Sequence, residues 1–300
     1  MKQSKYLLDS VNFMIEAAQK METVATENCS AELIAAAPMK NRGDAPECQW
    51  YHAAWGYCRV LGFIPTPNLH EQYYKQLFET KLNSDSVNIL ISGTADFSIL
   101  EHILQALPQA LYDKTTIYVL DMCLTPLKMC SWYNEKRLQC GGEPIKIIYL
   151  QRDALHTQLP NEHVDLITTY SFLARFDADK QNVLIDEWRR ILKPDGMIIT
   201  ADRITPQYEE EFYEDSSDQT DSFIEIAKQR IKNFPQLADR EEQIFSLLRR
   251  YSLHRLHYSF RNLDMYTALF NLFNYNITMH DVVDILETKK SYAVIRASKK

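Results

Sequence analysis

Residues 87–121 read VNILISGTADFSILEHILQALPQALYDKTTIYVLD. The apolar run Val87–Ile91 predicts a strand, the amphipathic stretch Phe97–Leu107 predicts a helix, and Thr116–Leu120 predicts a second strand. The alternation continues with strands predicted near 145–150, 164–168 and 197–201 and helices near 126–140 and 179–192. Strands that alternate with helices are typical of a parallel sheet covered on both faces. We therefore expect an α/β protein with a doubly wound open sheet.

Helical patterns flank this alternating region on both sides. Residues 1–85 predict a helical cap, with helices near 1–20, 50–60 and 70–82. Residues 206–262 hold an acidic stretch and two predicted helices, which we interpret as a lid inserted before the end of the sheet. Residues 263–300 predict one more helix and two strands. Added to the five strands of residues 86–205, these complete a mostly parallel, seven-stranded sheet.

Composition and charge narrow the class of protein. The chain has 300 residues, of which 46% are hydrophobic and 24% charged, as in globular proteins. The net charge is −7, and Pro206–Ser222 carries seven acids and no base, which argues against nucleic-acid binding. No run of about 18 apolar residues predicts a membrane span. The first twenty residues are amphipathic rather than signal-like, so we expect a cytoplasmic protein without a membrane partner.

The cysteines and histidines do not form metal-ligand patterns. The six cysteines include no CxxC pair and are irregularly spaced, which favours reduced thiols over a disulfide framework or a zinc site. His254 and His257 lie three residues apart, but no cysteine or acid follows at matching spacing. We predict no metal site.

The turns after the predicted strands hold the residues suited to a ligand, because open α/β sheets bind ligands beyond the carboxyl ends of their strands. Gly93 follows the first strand and permits close approach of the backbone. Asp121 ends the second strand, 28 residues after Gly93, where a carboxylate can accept hydrogen bonds from both hydroxyls of a ribose. Asp153, after the third strand, can accept from an exocyclic amine. The alternatives are a tight turn at Gly93, a helix cap at Asp121 and a solvated loop acid at Asp153.

A second stretch, Val164–Asp202, carries a family resemblance. An amphipathic helix ends in Leu192-Lys193-Pro194-Asp195-Gly196, and another apolar strand follows. Together with the turns above, this pattern resembles the class I S-adenosylmethionine-dependent methyltransferases, over about Val87–Asp202. In that family the helix is followed by L-K/R-P-G-G, and Asp195 replaces the first of the two glycines. The family's first motif, acid-x-G-x-G-x-G, retains only Gly93, with Ile91, Ala95 and Phe97 at the other positions.

The resemblance implies a Rossmann-like cofactor-binding core at 86–205, S-adenosylmethionine as the cofactor and methyl transfer as the activity. It also implies roles for single residues. Gly93, Thr94 and Ala95 would line the methionine portion, Asp121 with Met122 would hold the ribose, Asp153 and Ala154 would flank the adenine, and Tyr170 would face the sulfonium. Tyr170 is the first candidate for a catalytic residue, and His156 is a weaker candidate for a general base.

The acceptor is expected to be a small molecule, methylated on oxygen or nitrogen beneath the helical lid. Arg175 and the aromatic residues of the cap are the candidate contacts (Trp50, Tyr51, Trp55, Tyr73 and Tyr74). Ordinary helix packing is the alternative role for the aromatic residues. Two other functions stay open: a binding or scaffold protein without catalysis, and aminopropyl transfer. The second calls for an acid pair after the fourth strand, where this chain has Tyr170-Ser171.

Overall fold

The computed structural model describes residues 7–28, 47–64, 70–206, 212–213, 216–254, 257–258, 260–285 and 290–300. The helices are α1 (Val11–Asn28), α2 (Glu47–Val60), α3 (Glu71–Lys81), α4 (Ser98–Ala106), α5 (Leu124–Gln139), α6 (Ala178–Ile191), α7 (Ser217–Ile231), α8 (Glu241–His254) and α9 (Leu263–Leu272). The strands are β1 (Val87–Ser92), β2 (Thr115–Asp121), β3 (Lys146–Gln151), β4 (Val164–Tyr170), β5 (Leu192–Ile204), β6 (Phe212–Tyr213), β7 (His257–Tyr258), β8 (Tyr275–Ile285) and β9 (Lys290–Lys299).

The chain divides into two compact units. The helical unit comprises Met1–Pro65, Cys123–Thr125 and Phe212–His257, and the sheet unit comprises Thr66–Met122, Pro126–Glu211 and Tyr258–Lys300. Helix α3, which the sequence places with the N-terminal cap, lies in the sheet unit. Each unit is therefore assembled from three separate ranges of the chain, whereas the sequence analysis divided the chain into four consecutive segments.

The sheet unit is built on seven strands in the order β3-β2-β1-β4-β5-β9-β8. Strands β1 to β5 are parallel neighbours, and β9 runs antiparallel to both β5 and β8. The predicted seven-stranded, mostly parallel sheet is confirmed. Strands β2 and β4 lie on opposite sides of β1, so the strand order reverses there, and open α/β sheets bind ligands at the carboxyl ends of the strands at such a point.

Burial on both sides of the central strands explains their apolar sequences. In β1 every residue except Asn88 is buried, and in β4 every residue except Tyr170 is buried. Helices α6 and α9 contribute to one core with β4, β5 and β9, in which Trp188 is the largest side chain. The indole Nε1 of Trp188 donates to Ser92 Oγ over 3.0 Å. This bond satisfies two polar groups at the end of β1 that are both buried.

The Lys-Pro-Asp-Gly stretch departs from the simple turn that the resemblance implies. Strand β5 already begins at Leu192, which pairs with Val164, and the register then shifts so that Met197 pairs with Leu166. Asp195 accepts a hydrogen bond from Lys81 Nζ over 2.6 Å, and the same ammonium lies 3.1 Å from the buried carboxylate of Asp165. The residue that replaces a family glycine therefore joins β5 to helix α3.

The helical unit has its own core. Gly56 of α2 packs against Ala18 of α1, and a Cβ at Gly56 would lie 2.6 Å from the Cα atom of Ala18. Tyr57 donates to Glu22 over 2.6 Å, and Arg240 donates to the same carboxylate over 2.8 Å. Helix α1 is therefore bonded to both α2 and the segment that leads into α8.

The structure bears on membrane-spanning helices and on the state of the cysteines. Within the described ranges, no helix is long and apolar enough to cross a membrane. Cys58 and Cys130 are buried free thiols and Cys140 is an exposed one, but Cys123 is disulfide-bonded. The prediction of reduced thiols throughout is therefore wrong at Cys123, because irregular spacing along the chain does not preclude pairing in space.

Candidate functional site

The turn after β1 is shaped by Gly93. Its φ of +74° lies in the left-handed region, and its N–H donates to the carbonyl oxygen of Leu120 over 2.8 Å. A Cβ on Gly93 would lie 2.2 Å from Cε2 of Phe172. Both the backbone conformation and the approach of this ring therefore require glycine. The sequence predicts that a group approaches the backbone of Gly93 closely, and in the structure that group is the ring of Phe172.

Phe172 is brought over Gly93 by the turn that follows β4. Ser171 has a φ of +53°, which is uncommon for a residue with a side chain, and its N–H donates to the carbonyl oxygen of Ala201 over 2.7 Å. The Phe172 ring meets Phe176 edge to face, with ring centroids 5.0 Å apart. Residues of this kind, held in rarely populated backbone conformations, cluster at functional sites.

The remaining residues of the first turn form the entry to α4. The Thr94 hydroxyl donates to the carbonyl oxygen of Asp96 over 2.5 Å, and the carboxylate of Asp96 accepts from the Ser98 N–H over 2.8 Å. Ala95 is half-buried, whereas Phe97 is buried and stacks on Tyr133 of α5 with centroids 4.8 Å apart. Phe97, at the third glycine position of the family motif, therefore packs between helices.

Asp121 links the ends of three neighbouring strands. Its Oδ2 accepts from the Thr94 N–H after β1 over 3.1 Å, and its carbonyl oxygen accepts from the Arg152 N–H after β3 over 3.0 Å. The side chain is half-buried at the carboxyl end of β2. The next carbonyl oxygen, that of Met122, accepts from Gln151 Nε2 over 3.2 Å. The structure thus brings Asp121 and the Gly93 turn together, as the sequence predicts.

The turn after β3 places the predicted adenine-side residues. Asp153 caps a short 3-10 helix, Ala154–His156, and its Oδ1 accepts from the Leu155 N–H over 2.9 Å. Ala154 is buried, and the side chain of His156 is exposed. Asp153 therefore has a local structural role in addition to the one predicted for it, and His156 projects to the surface.

Tyr170, at the end of β4, belongs to a group of aromatic residues. Its ring lies 5.4 Å from that of His70 and 5.3 Å from that of Tyr292, measured between centroids. His70 Nδ1 lies 3.2 Å from the hydroxyl of Tyr74, which lies 2.6 Å from the hydroxyl of Thr168. His70, which precedes α3, is fully buried. In the sequence, His70 and Tyr74 are spaced by four residues at the start of a predicted helix. That spacing is equally typical of a binding site and of ordinary helix packing, so it does not identify His70.

Asp202 is a second residue that the sequence analysis did not single out. Its carboxylate is fully buried on β5, one residue beyond the partner of Tyr170 in the sheet. It accepts from the hydroxyl of Tyr266 over 2.9 Å and from the Ala174 N–H over 3.3 Å. Burial raises the pKa of Asp202 to about 7, although these hydrogen bonds and the charge of Arg175 lower it. Asp202 therefore anchors the turn after β4. The positive charge of Arg175, which the sequence predicts as a substrate contact, lowers the pKa of Asp202.

The predicted acceptor contacts of the cap are divided between the two units: Trp50, Tyr51 and Trp55 lie in the helical unit, whereas Tyr73 and Tyr74 are buried on α3 of the sheet unit. Trp50 is buried in the core of the helical unit, where its ring meets Tyr251 with centroids 6.4 Å apart. Tyr51 and Trp55 are half-buried against the same core. Their predicted contact with an acceptor remains a prediction. Five of the seven acids of the predicted acidic stretch Pro206–Ser222, at positions 209–211 and 214–215, lie outside the described residues.

No cluster of three or more metal-ligating side chains occurs among the residues that the structure describes.

Residues 92–200 match a family model described as "Methyltransferase domain". This range contains the predicted cofactor-side residues from Gly93 to Tyr170. The resemblance to class I S-adenosylmethionine-dependent methyltransferases is therefore confirmed for the core. No curated protein matches the sequence.

Solved methyltransferase structures resemble the chain at low identity. The N-methyltransferase NodS from Bradyrhizobium japonicum WM9, in complex with S-adenosyl-L-homocysteine, is 13% identical, with a TM-score of 0.45 over 79% of this chain and 90% of that one. The mitomycin 7-O-methyltransferase MmcR is 14% identical, with a TM-score of 0.47 over 95% and 68%. Magnesium protoporphyrin IX methyltransferase ChlM from Synechocystis PCC 6803, also with bound S-adenosyl-L-homocysteine, is 12% identical, with a TM-score of 0.45 over 87% and 90%. Likeness at this level does not indicate a shared acceptor.

Proposed function

We propose that this chain, whose residues 92–200 match a methyltransferase domain, transfers a methyl group from S-adenosylmethionine to an oxygen or nitrogen of a small-molecule acceptor. The observation that carries the proposal is the bond between Asp121 and the Thr94 N–H at the carboxyl edge of β1 and β2. It holds a carboxylate beside the Gly93 turn at the switch in strand order, which is where open α/β sheets bind nucleotides.

The donor set at this edge fits S-adenosylmethionine. Asp121 accepts from the Thr94 N–H at this edge, and a carboxylate is the kind of side chain that accepts hydrogen bonds from a pair of ribose hydroxyls. Asp153 and Ala154, in the turn after β3, would flank the adenine. Tyr170 stands at the end of β4, next to β1, and would face the sulfonium. When bound, the cofactor supplies a methyl group on a positively charged sulfur.

The work left to the protein is to hold the acceptor in line with that methyl group and to exclude water. The turn after β4 is suited to this task because Asp202 anchors its backbone through the Ala174 N–H. A general base is needed only if the acceptor loses its proton before attack. His156 is exposed, which favours residues near Tyr170 over His156 for any such role.

One observation favours a binding protein without catalysis as the second candidate. The ring of Phe172 lies where a Cβ on Gly93 would stand, so the only remaining glycine of the first motif faces a side chain of this chain. Aminopropyl transfer has less support, since the turn from Tyr170 to Phe176 contains no carboxylate to hold a polyamine.

The test combines binding with transfer. Calorimetric titration with S-adenosylmethionine measures cofactor affinity. Incubation of the protein with methyl-labelled cofactor and a fractionated extract of small molecules then detects methylated products. Saturable binding together with label in a small molecule is the expected result. Binding without transfer to any fraction favours the binding protein, and absence of binding contradicts the proposal.

A further inference from the structure

His70 has one ring nitrogen whose role the fold does not explain. The imidazole is fully buried, and Nδ1 lies 3.2 Å from the hydroxyl of Tyr74. Nε2 is also buried and has no hydrogen-bond partner among the residues that the structure describes. Buried polar atoms in folded proteins are nearly always paired, because leaving one unpaired costs free energy. An unpaired Nε2 therefore points to a partner that is not part of the described chain.

The charge state of His70 limits what that partner is. Burial and the neighbouring His102 lower the pKa of His70 to about 3, so the ring is neutral near pH 7. A neutral imidazole offers Nε2 as a hydrogen-bond donor or acceptor, depending on the tautomer, and does not form an ion pair. A hydroxyl both donates and accepts, so it serves as the partner in either tautomer, and burial at this position disfavours a charged group.

The surroundings of His70 are aromatic. Its ring lies 5.4 Å from Tyr170 and 5.9 Å from Tyr74, and Tyr170 in turn lies 5.3 Å from Tyr292. Sites for small molecules combine such apolar walls with a few placed polar atoms. Aromatic walls favour a planar ring, which they contact edge to face or in offset stacking.

His70 also lies close to the edge at which the cofactor is proposed to bind. Tyr170 is the last residue of β4, and β4 is paired with β1. The residue before it, Thr169, has its hydroxyl 3.5 Å from the carbonyl oxygen of Gly93. A group held by Nε2 beside Tyr170 is therefore near the turn that would carry the methionine portion.

We propose that His70 binds the methyl acceptor, with Nε2 in a hydrogen bond to the hydroxyl of an uncharged aromatic compound of the phenol class. This inference rests on the proposed methyl transfer and narrows its acceptor. Nδ1, through Tyr74 and Thr168, holds the ring in place, while Nε2 contacts the acceptor. His70 acts by orienting the hydroxyl, and it remains neutral while doing so.

The test uses phenol as the probe and two variants that separate the ring nitrogens. The amide nitrogen of asparagine lies near the position of Nδ1, and that of glutamine near the position of Nε2. His70→Asn therefore retains a partner for Tyr74 and loses the contact to phenol, whereas His70→Gln does the reverse. The affinity for phenol is measured by calorimetry on both variants and the wild type, with and without S-adenosylhomocysteine.

A measurement on the wild type accompanies the variants, so the result does not depend on how well they fold. Phenol is titrated into protein carrying nitrogen-15-labelled histidine, and the Nε2 resonance of His70 is followed. We expect a saturable shift of that resonance. We also expect phenol affinity within about threefold of wild type in His70→Gln and at least about tenfold weaker in His70→Asn, the loss of one hydrogen bond.

An Nε2 resonance that does not move, or weaker phenol binding in His70→Gln than in His70→Asn, would overturn the inference and leave His70 with a structural role. Failure of S-adenosylhomocysteine to bind the wild type counts against methyl transfer instead. The titration without the nucleoside still reports on His70 in that case, so the two failures are distinguishable.

Discussion

Replacing Asp202 by asparagine should change how stability depends on pH. In the unfolded chain this carboxyl ionises near its ordinary pKa of 3.8, and in the folded chain burial raises the pKa to about 7. Between these values the folded protein holds a proton that the unfolded chain has lost. Stability therefore falls as pH rises from about 4 to about 7 and changes little above that range. Asparagine has nearly the same shape and does not ionise.

The magnitude follows from the shift. Each pKa unit corresponds to about 1.4 kcal/mol. The free energy of unfolding of the wild type should therefore fall by about 2.5 kcal/mol between pH 5 and pH 8 because of Asp202 alone. The free energy of unfolding is measured by urea denaturation at both pH values for the wild type, Asp202→Asn and the exposed control Asp186→Asn on α6. Asp202→Asn should gain about 2 to 3 kcal/mol relative to wild type between pH 5 and pH 8, and the control should gain nothing comparable. A difference between Asp202→Asn and wild type that is the same at both pH values would refute the reasoning.

Two further predictions concern stability and are checked by the same denaturation assay. Gly93→Ala adds a Cβ that would lie 2.2 Å from the Phe172 ring, at a φ of +74°, so it should destabilise by about 2–4 kcal/mol. Adding Phe172→Ala removes the clash, and the double variant should lose at least about 1 kcal/mol less than the two single changes summed; strict additivity would mean that the ring does not enforce the glycine. Lys81→Ala removes a partner of the buried Asp165 and should cost about 2–3 kcal/mol, whereas Asp195→Ala removes only the exposed partner and should cost less than about 1 kcal/mol. Equal losses in these two variants would contradict the importance of the buried pair.

The sheet was predictable because its signal is local. The apolar runs and amphipathic stretches from Val87 to Ala201 report which residues face a core, and their alternation determines the class of topology. The same reasoning located Gly93 and Asp121, because the end of a strand is visible in the sequence. Their contact through Thr94 then follows from the pairing of β1 with β2.

The features that escaped prediction depend on packing between distant parts of the chain. Nothing near Gly93 indicates that Phe172 fills the space above it, since 79 residues separate the two in the sequence. Asp202 looks like an ordinary acid at the end of a strand, and its raised pKa comes from burial beneath the turn after β4. His70 looks like the first residue of a surface helix, and only the fold buries it against Tyr170.

The central claim, that S-adenosylmethionine binds at the carboxyl edge of β1 and β2, is tested most directly by calorimetry on two acids at opposite ends of β2. Asp121 ends the strand on the proposed cofactor side, and the exposed Asp113 precedes its other end. Asp121→Ala should weaken cofactor binding by about 2–4 kcal/mol, the loss of two hydrogen bonds to a charged acceptor, and Asp113→Ala should bind like wild type. Wild-type affinity in Asp121→Ala would contradict the account.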